Sequence, residues 1–310
     1  MKRVLILLFA SLICACTHKP GAVIDNVANG NNVIFLDAYY TDYLNSIKTD
    51  TTNLAKIYNE KIHDPIVNTY FLKCEYRYFA ANYFSIPIHD TIGMHRNIVE
   101  LNANKKKIDS IISLALTTDS KFLKNDSISV YIVPLKHYFK GISTRMGGIT
   151  GETVGSKEII LTVDPEVTGW ENNLKYAISH EYSHAYWAKI HPPIDPSEWV
   201  LLYSIIGEGK ADSYAHIIYP GVAVPWVSAL SDSAKNVLWN RIKPELKSTD
   251  INLYYSVVFG HDTSKIYPLW GGYSIGYAIV QSALKNNSQL TPEQWMALKP
   301  EELLKMSDYK

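Results

Sequence analysis

Apolar and aromatic residues recur three and four positions apart over residues 33–123, as in Leu54, Ile57, Tyr58 and Ile62. This spacing places the apolar side chains on one face of a helix. It therefore predicts a series of amphipathic helices in the first part of the chain, with the abundant aromatic residues packed in a core.

The hydrophobic period changes between residues 127 and 164. The runs at 128–133 and 159–163 are rich in β-branched residues and have the length of a strand. The segment 147–151 between them reads Gly-Gly-Ile-Thr-Gly, and its glycines favour turns or the close approach of another backbone segment. This zone predicts a small sheet.

The helical spacing returns at residues 172–190, 201–219 and 273–286. Thr291 is followed three positions later by Gln294, which predicts the start of a further helix closed by a capping box. Together with the two strands, these helices predict an α+β fold that is mainly helical.

The first residues have the pattern of an export signal. Two basic residues precede an apolar stretch at 4–13, which is shorter than the roughly 20 residues that span a bilayer. Ile13, three positions before Cys16, and the small Ala15 resemble a bacterial lipobox. An ordinary secretory signal with an incidental cysteine is the alternative.

The lipobox predicts a lipoprotein signal peptide over residues 1–16 and a tether over residues 17–32. The thiol of Cys16 would be acylated and would anchor the protein to a membrane. No acidic residue follows at positions 17–20, which favours a location in the cell envelope, facing the periplasm.

Composition limits the classes of function. The 310 residues include 30 basic and 30 acidic side chains, and 47% are hydrophobic. A neutral chain without a basic stripe is not expected to bind nucleic acid. No repeat or linker interrupts residues 33–310, which predicts one domain with a helical region at 33–125 and a second region at 126–310. The oligomeric state is not predicted.

Cysteine usage leaves no pair for a disulfide in the mature chain. Of the three cysteines, Cys14 is lost with the signal peptide and Cys16 is acylated. Only Cys74 remains, and we predict that it is a small buried apolar residue.

Residues 180–184 read His-Glu-Tyr-Ser-His, which is an HExxH motif. Residues four apart share one face of a helix, so His180 and His184 can direct two imidazoles at one metal ion. Glu181 can reach a water molecule as a general base without ligating the metal. The alternative is a pair of surface histidines on an amphipathic helix.

A catalytic zinc site uses three protein ligands and leaves one position open. The next predicted helix contains Glu208, 24 residues past His184, and we predict that it is the third ligand. The alternative is an exposed glutamate at a flexible helix start.

The surroundings of Glu208 add two predictions. Asp212, one turn further along the helix, is expected to accept a hydrogen bond from a ring nitrogen of a motif histidine and so to fix its tautomer. Gly207 and Gly209 are costly in a helix interior, by roughly 1 kcal/mol each. They predict that this helix packs closely on the HExxH helix.

An HExxH helix followed by a helix with a zinc-binding glutamate resembles the gluzincin class of metallopeptidases. Residues 128–163, the HExxH motif and the segments 207–212, 272–280 and 303–309 more closely resemble the DUF2268 family of predicted zinc-dependent proteases. The resemblance covers residues 125–309. It extends to lipoproteins related to gliding motility, some of which lack the metal motif.

This resemblance implies a gluzincin-like zincin fold with a small sheet packed beside the HExxH helix, a Zn²⁺ cofactor and a peptide or protein substrate. We expect an extended substrate to pair with a strand edge in the 128–163 zone. The candidate donors to the developing oxyanion are Tyr273, Tyr277, Tyr214, His216 and His261. Tyr273 and Tyr277 are preferred because each follows a glycine.

Two other functions stay open at this point. The chain could be a non-catalytic envelope lipoprotein whose zinc site serves partner binding. It could also be a module that binds extended peptides without turnover. A closed structural zinc usually has four protein ligands, and the sequence offers three, which favours the enzyme.

Overall fold

The computed structural model describes residues 24–26, 30–191, 195, 198–260 and 266–309. Its strands form one mixed five-stranded sheet in the order β1-β2-β3-β5-β4. The three central strands are parallel, and the two outer strands are antiparallel to their neighbours. The strands are β1 (Ile24–Asn26), β2 (Asn32–Phe35), β3 (Ser129–Val133), β4 (Ile149–Thr153) and β5 (Glu158–Val163).

Helices make up most of the described chain, and π-helical turns at Asn59–His63 and Val67–Phe71 extend α2 and α3. The α-helices are α1 (Asp37–Thr49), α2 (Leu54–Tyr58), α3 (Asp64–Ile66), α4 (Arg77–Ser85), α5 (Thr91–Asp119), α6 (His137–Arg145), α7 (Trp170–Ile190), α8 (Leu201–Ile218), α9 (Asp232–Ile242), α10 (Ile251–Phe259), α11 (Gly271–Asn286), α12 (Pro292–Ala297) and α13 (Pro300–Met306). The mainly helical α+β class is thus confirmed.

The central strands carry side chains into two separate cores. Val130 and Ile132 of β3 lie in a core with apolar residues of α5, α7, α8 and α11. Tyr131 and Val133 point to the opposite face, where residues of α1, α4 and the π-helical turns cover them. Successive side chains of a strand point to opposite faces, so the buried parallel strands need helices on both sides. This arrangement places α7 against the sheet, beside β4.

The glycines of α8 bring two helices into backbone contact. A Cβ at Gly209 would overlap the backbone of Gly276 in α11. A Cβ at Gly207, in contrast, would meet no atom within 4 Å. The predicted packing of α8 on the HExxH helix is confirmed, but the close backbone contact at Gly209 is made with α11, so the role predicted for the two glycines in that packing is wrong.

Most predicted elements lie where the spacing placed them. The strands at 128–133 and 159–163 are β3 and β5, and the capping box at Thr291 and Gln294 is confirmed. The segment predicted to be helical from residue 33 instead begins with the strand β2. Four residues are too few to show a strand period of their own, and α1 begins only two positions after β2 ends.

In the glycine-containing segment at 147–151, Gly147 and Gly148 form the predicted turn with positive φ, and residues 149–153 then form the edge strand β4. Cys74 is buried, as predicted, and is a free thiol. The signal peptide, Cys16 and the start of the tether lie outside the described residues, whereas β1 falls within the range assigned to the tether. Among the residues that the structure describes, no helix combines the length and hydrophobicity needed to span a bilayer.

Candidate metal centre

Helices α7 and α8 bring the three predicted ligands together. One ligand atom from each of His180, His184 and Glu208 lies within 4.8 Å of the other two. The Nε2 atoms of the histidines are 3.2 Å apart, and Glu208 Oε2 lies 3.2 Å from His180 Nε2 and 3.9 Å from His184 Nε2. Two turns of one helix and one residue of its neighbour therefore converge on a single point.

The separations match those of a zinc site. Ligand atoms about 2.0–2.1 Å from a tetrahedral zinc ion lie roughly 3.3 Å from one another, which is close to the observed distances. Glu208 Oε2 is buried and accepts no hydrogen bond within the described chain. An unsatisfied carboxylate oxygen facing two imidazole nitrogens is a donor set that zinc prefers, so the residues fit this metal.

Asp212 holds the first histidine in place. Its Oδ1 atom lies 3.1 Å from His180 Nδ1 and accepts hydrogen bonds from the Tyr176 hydroxyl at 3.0 Å and from Trp226 Nε1 at 2.9 Å. A carboxylate can only accept, so Nδ1 of His180 carries a proton and the Nε2 lone pair faces the candidate metal position. The sequence did not reveal Tyr176 and Trp226, because neither belongs to a motif.

The charges around the ligands favour a cation. Burial lowers the pKa of His180, but the carboxylates of Asp212 and Glu208 outweigh burial and hold it well above its usual value. Burial raises the pKa of Glu208, yet the close approach of His180 at 3.2 Å and the charges of both imidazoles bring it below its usual value. The site thus stabilises positive charge beside its carboxylates, as a metal ion requires.

Glu181 faces the edge strand of the sheet. The Thr153 hydroxyl of β4 donates to Glu181 Oε2 at 2.7 Å and also lies 3.0 Å from the Glu181 carbonyl oxygen. A Cβ at Gly151 would lie 2.6 Å from Glu181 Oε1. The strand therefore supplies one positioning hydroxyl and one glycine that leaves room for the carboxylate. Neither role was visible in the sequence, although the glycine did suggest a close approach.

The predicted oxyanion donors are dispersed. Tyr273 is buried, and burial together with the charge of Glu208 raises its pKa well above the usual value. Tyr277 packs edge-on against His216, with ring centroids 6.1 Å apart. The Tyr214 hydroxyl donates to the Asp119 carbonyl oxygen at 3.2 Å and is used in the core. His261 lies outside the described residues.

Two further side chains of the site were not predicted from the sequence. Tyr254 of α10 lines the cleft beside His184 and Glu208. Burial, followed by the charge of Glu208, raises the pKa of Tyr254 well above its usual value, so its hydroxyl stays protonated. Glu152 of β4 is the second, and burial followed by the charge of Glu181 raises its pKa to about 8. Both approach the site only through the fold.

The comparisons with known proteins agree with this geometry. A model of the DUF2268 family, described as a predicted Zn-dependent protease, matches residues 108–305, which is more than half of the 310 residues. No curated protein and no solved structure matches the chain. The matched range contains α7, α8 and β4, and thus every residue of the candidate metal centre. The chain therefore belongs to the DUF2268 family of predicted zinc-dependent proteases.

Proposed function

We propose that the protein is a zinc metallopeptidase that hydrolyses peptide bonds. The observation that carries this proposal is the convergence of His180, His184 and Glu208 within 4.8 Å, next to a carboxylate that is not part of the ligand set. A zinc ion held by these residues would polarise a water molecule and the substrate carbonyl. Three ligands leave the open position that a catalytic site needs.

Glu181 is the proposed general base. It directly follows His180 on α7, and Thr153 and Gly151 determine where its carboxylate lies. Glu181 takes a proton from the attacking water and delivers it to the leaving amine. Because one carboxylate oxygen accepts from Thr153, the other is available for the water.

The substrate is proposed to add to β4. This strand pairs with β5 on one side, and no strand of the described chain pairs with its other edge. An extended peptide can form main-chain hydrogen bonds with such an edge, and it would then pass in front of Glu181. Edge strands that stay open in this way are otherwise prone to aggregation, so a binding role explains the exposure.

Tyr254 is the proposed donor to the oxyanion, in place of the tyrosines preferred from sequence. It lines the cleft beside two ligands, and its raised pKa keeps the hydroxyl protonated. Tyr273 is not among the described residues that line this cleft. Removing one oxyanion donor costs about 10²–10³ in kcat in well-studied hydrolases, and we expect a loss of that order in Tyr254→Phe.

The proposed function can be tested on a truncated protein that begins at residue 17 and therefore lacks Cys16. Metal analysis should give one zinc per chain, and a mixed peptide library should be cleaved. Glu181→Gln should keep the zinc and lose roughly 10²–10⁴ of the hydrolysis rate, whereas His184→Ala should lose zinc as well. Full activity of Glu181→Gln would refute the mechanism. Zinc binding by wild-type protein without any cleavage would favour the non-catalytic, partner-binding lipoprotein.

We also propose that the mature protein is anchored in the cell envelope through a lipid on Cys16. The basis is the lipobox-like sequence that ends the apolar stretch. Wild-type protein should fractionate with membranes and incorporate labelled palmitate, and Cys16→Ser should do neither. Equal membrane association of the two proteins would contradict the anchor.

A further inference from the structure

A cavity adjoins the metal centre on its α8 side. The metal-site residues His184 and Glu208 line it together with the apolar side chains of Trp187, Trp199 and Met296. The two indoles contact each other edge-on, with ring centroids 5.9 Å apart. Because ligands of the proposed zinc form part of the lining, a peptide bound at the metal has direct access to the cavity.

Two of the polar groups of the lining, on Trp199 and Ser183, are already paired inside the protein. Trp199 Nε1 donates to Ser204 Oγ at 2.8 Å, and Ser183 Oγ donates to the His180 carbonyl oxygen at 2.8 Å. The ring of Tyr203 also lines the cavity and packs edge-on against Trp199, with ring centroids 6.3 Å apart. The Trp199 N–H and the Ser183 hydroxyl hydrogen are therefore not available to a polar substrate side chain.

Lys210 also lines the cavity, but its charge is directed elsewhere. Its Nζ atom donates to the carbonyl oxygens of Met296 at 2.9 Å and Leu298 at 2.6 Å. The ammonium group is thus held by backbone acceptors, and what remains for the cavity is the aliphatic part of the side chain. A carboxylate in this cavity would have no free cation to pair with.

We propose that this cavity is the specificity pocket of the peptidase and that it binds the side chain of a large apolar residue next to the scissile bond. The inference rests on the proposed function, and it adds a substrate class. A leucine or phenylalanine side chain would replace water against indole and thioether surfaces. A charged side chain would lose hydration without a partner, and glycine or serine would leave the pocket unfilled.

Gly207 gives direct control over the size of the pocket. It lines the cavity, and a Cβ at this position would meet no atom within 4 Å. A Cβ can therefore be added at Gly207 without moving a neighbour, and a longer side chain would extend from it into the cavity. Gly141 of α6 is a matched control, since a Cβ there also meets nothing within 4 Å and the residue is absent from the lining.

The first experiment measures kcat/KM for peptides that differ only at the two positions flanking the cleaved bond. At one of these positions, leucine and phenylalanine should be preferred over glycine, serine, aspartate and lysine by about 10–100-fold. Gly207→Leu should reduce the ratio of leucine to alanine cleavage by at least about tenfold, and Gly141→Leu should leave that ratio at the wild-type value. No preference at either position would overturn the pocket while leaving the proposed function intact.

The second experiment does not depend on turnover. Zinc-loaded Glu181→Gln protein is titrated with leucinamide, glycinamide and lysinamide in a calorimeter. Leucinamide should bind most tightly, and adding Gly207→Leu should remove its advantage. If the wild-type protein cleaves no peptide but leucinamide still binds more tightly than the other two amides, the proposed function fails. The preference of the cavity for a large apolar side chain then remains supported. Equal affinities for the three amides would overturn the pocket.

Discussion

Thr153 Oγ1 donates a 2.7 Å hydrogen bond to Glu181 Oε2, and this bond joins the edge strand of the sheet to the HExxH helix. The same strand places Gly151 where any side chain would displace the other carboxylate oxygen, Oε1. The general base of the proposed reaction is therefore positioned by β4, the strand to which the substrate is proposed to add. Substrate binding and proton transfer share one structural element.

Removing the Thr153 hydroxyl should affect the reaction and not the metal. Thr153→Val keeps the shape of the side chain but cannot donate to Glu181, so the carboxylate loses its orientation. We expect kcat to fall about 10–100-fold, an effect of the size seen when a group is misplaced by an ångström, with zinc content unchanged. Thr153→Ser should restore most of the rate. A similar loss in the serine variant would show that the methyl packing matters instead of the hydrogen bond.

Asp212 should control the affinity for zinc. Asp212→Asn keeps the size of the side chain but removes the negative charge that orients and polarises His180. Substitutions of this kind weaken metal binding by roughly 10–100-fold, which competition with a chromophoric chelator can measure. Trp226→Phe, which removes one hydrogen bond to the same oxygen but leaves the charge, should have a smaller effect. Wild-type affinity in Asp212→Asn would contradict the assigned role.

The two glycines of α8 should respond to alanine in opposite directions. Gly209→Ala would force the backbones of α8 and α11 apart, because its Cβ overlaps Gly276. We expect a destabilisation of about 1–3 kcal/mol, typical of overpacking. Gly207→Ala should instead stabilise the helix by up to roughly 1 kcal/mol, since space is open there. Urea unfolding measures the free energy of unfolding of both variants. An equal decrease in the two variants would refute the assigned packing.

Lys136 should make stability depend on pH. Burial lowers the pKa of Lys136 to about 7, and its Nζ is held by the Tyr58 hydroxyl and by the carbonyl oxygens of Tyr83 and Ile86. In the unfolded chain a lysine titrates near 10.4. Between these two values the unfolded chain binds more protons than the folded one, so the free energy of unfolding rises with pH.

The contribution of Lys136 is measured with Lys136→Met. Between pH 7.5 and 9.5 the variant should show a shallower rise of stability with pH, by up to about 1.4 kcal/mol per pH unit for one proton. Lys210, whose pKa burial also lowers to about 7, keeps its own contribution in both proteins. Parallel pH profiles of wild type and variant would show that Lys136 is charged in the folded state.

Local sequence was informative wherever helical spacing alone brings chemical groups together. His180 and His184 face one point because residues four apart lie on one side of a helix, and this holds in any fold that keeps α7 helical. Glu208 and Asp212 share one face of α8 for the same reason, although their contact with the histidines depends on the packing of α8 against α7. The class of fold and the family were predictable from these patterns, and the matching range of 108–305 includes all four residues.

The tertiary structure alone decided which other residues complete the site. Thr153 reaches Glu181 across 28 positions of the chain, Trp226 reaches Asp212 from a neighbouring segment, and Tyr254 enters from α10. None of these residues has a periodic or motif signal, because their roles come from sheet order and helix packing. The same holds for Gly209, whose close backbone contact is with Gly276 of α11 and not with a residue of the HExxH helix. The sequence by itself determined that the two histidines share one face of a helix, whereas long-range packing decided how Glu208 meets them, how Glu181 is oriented and which cavity and strand edge adjoin the site.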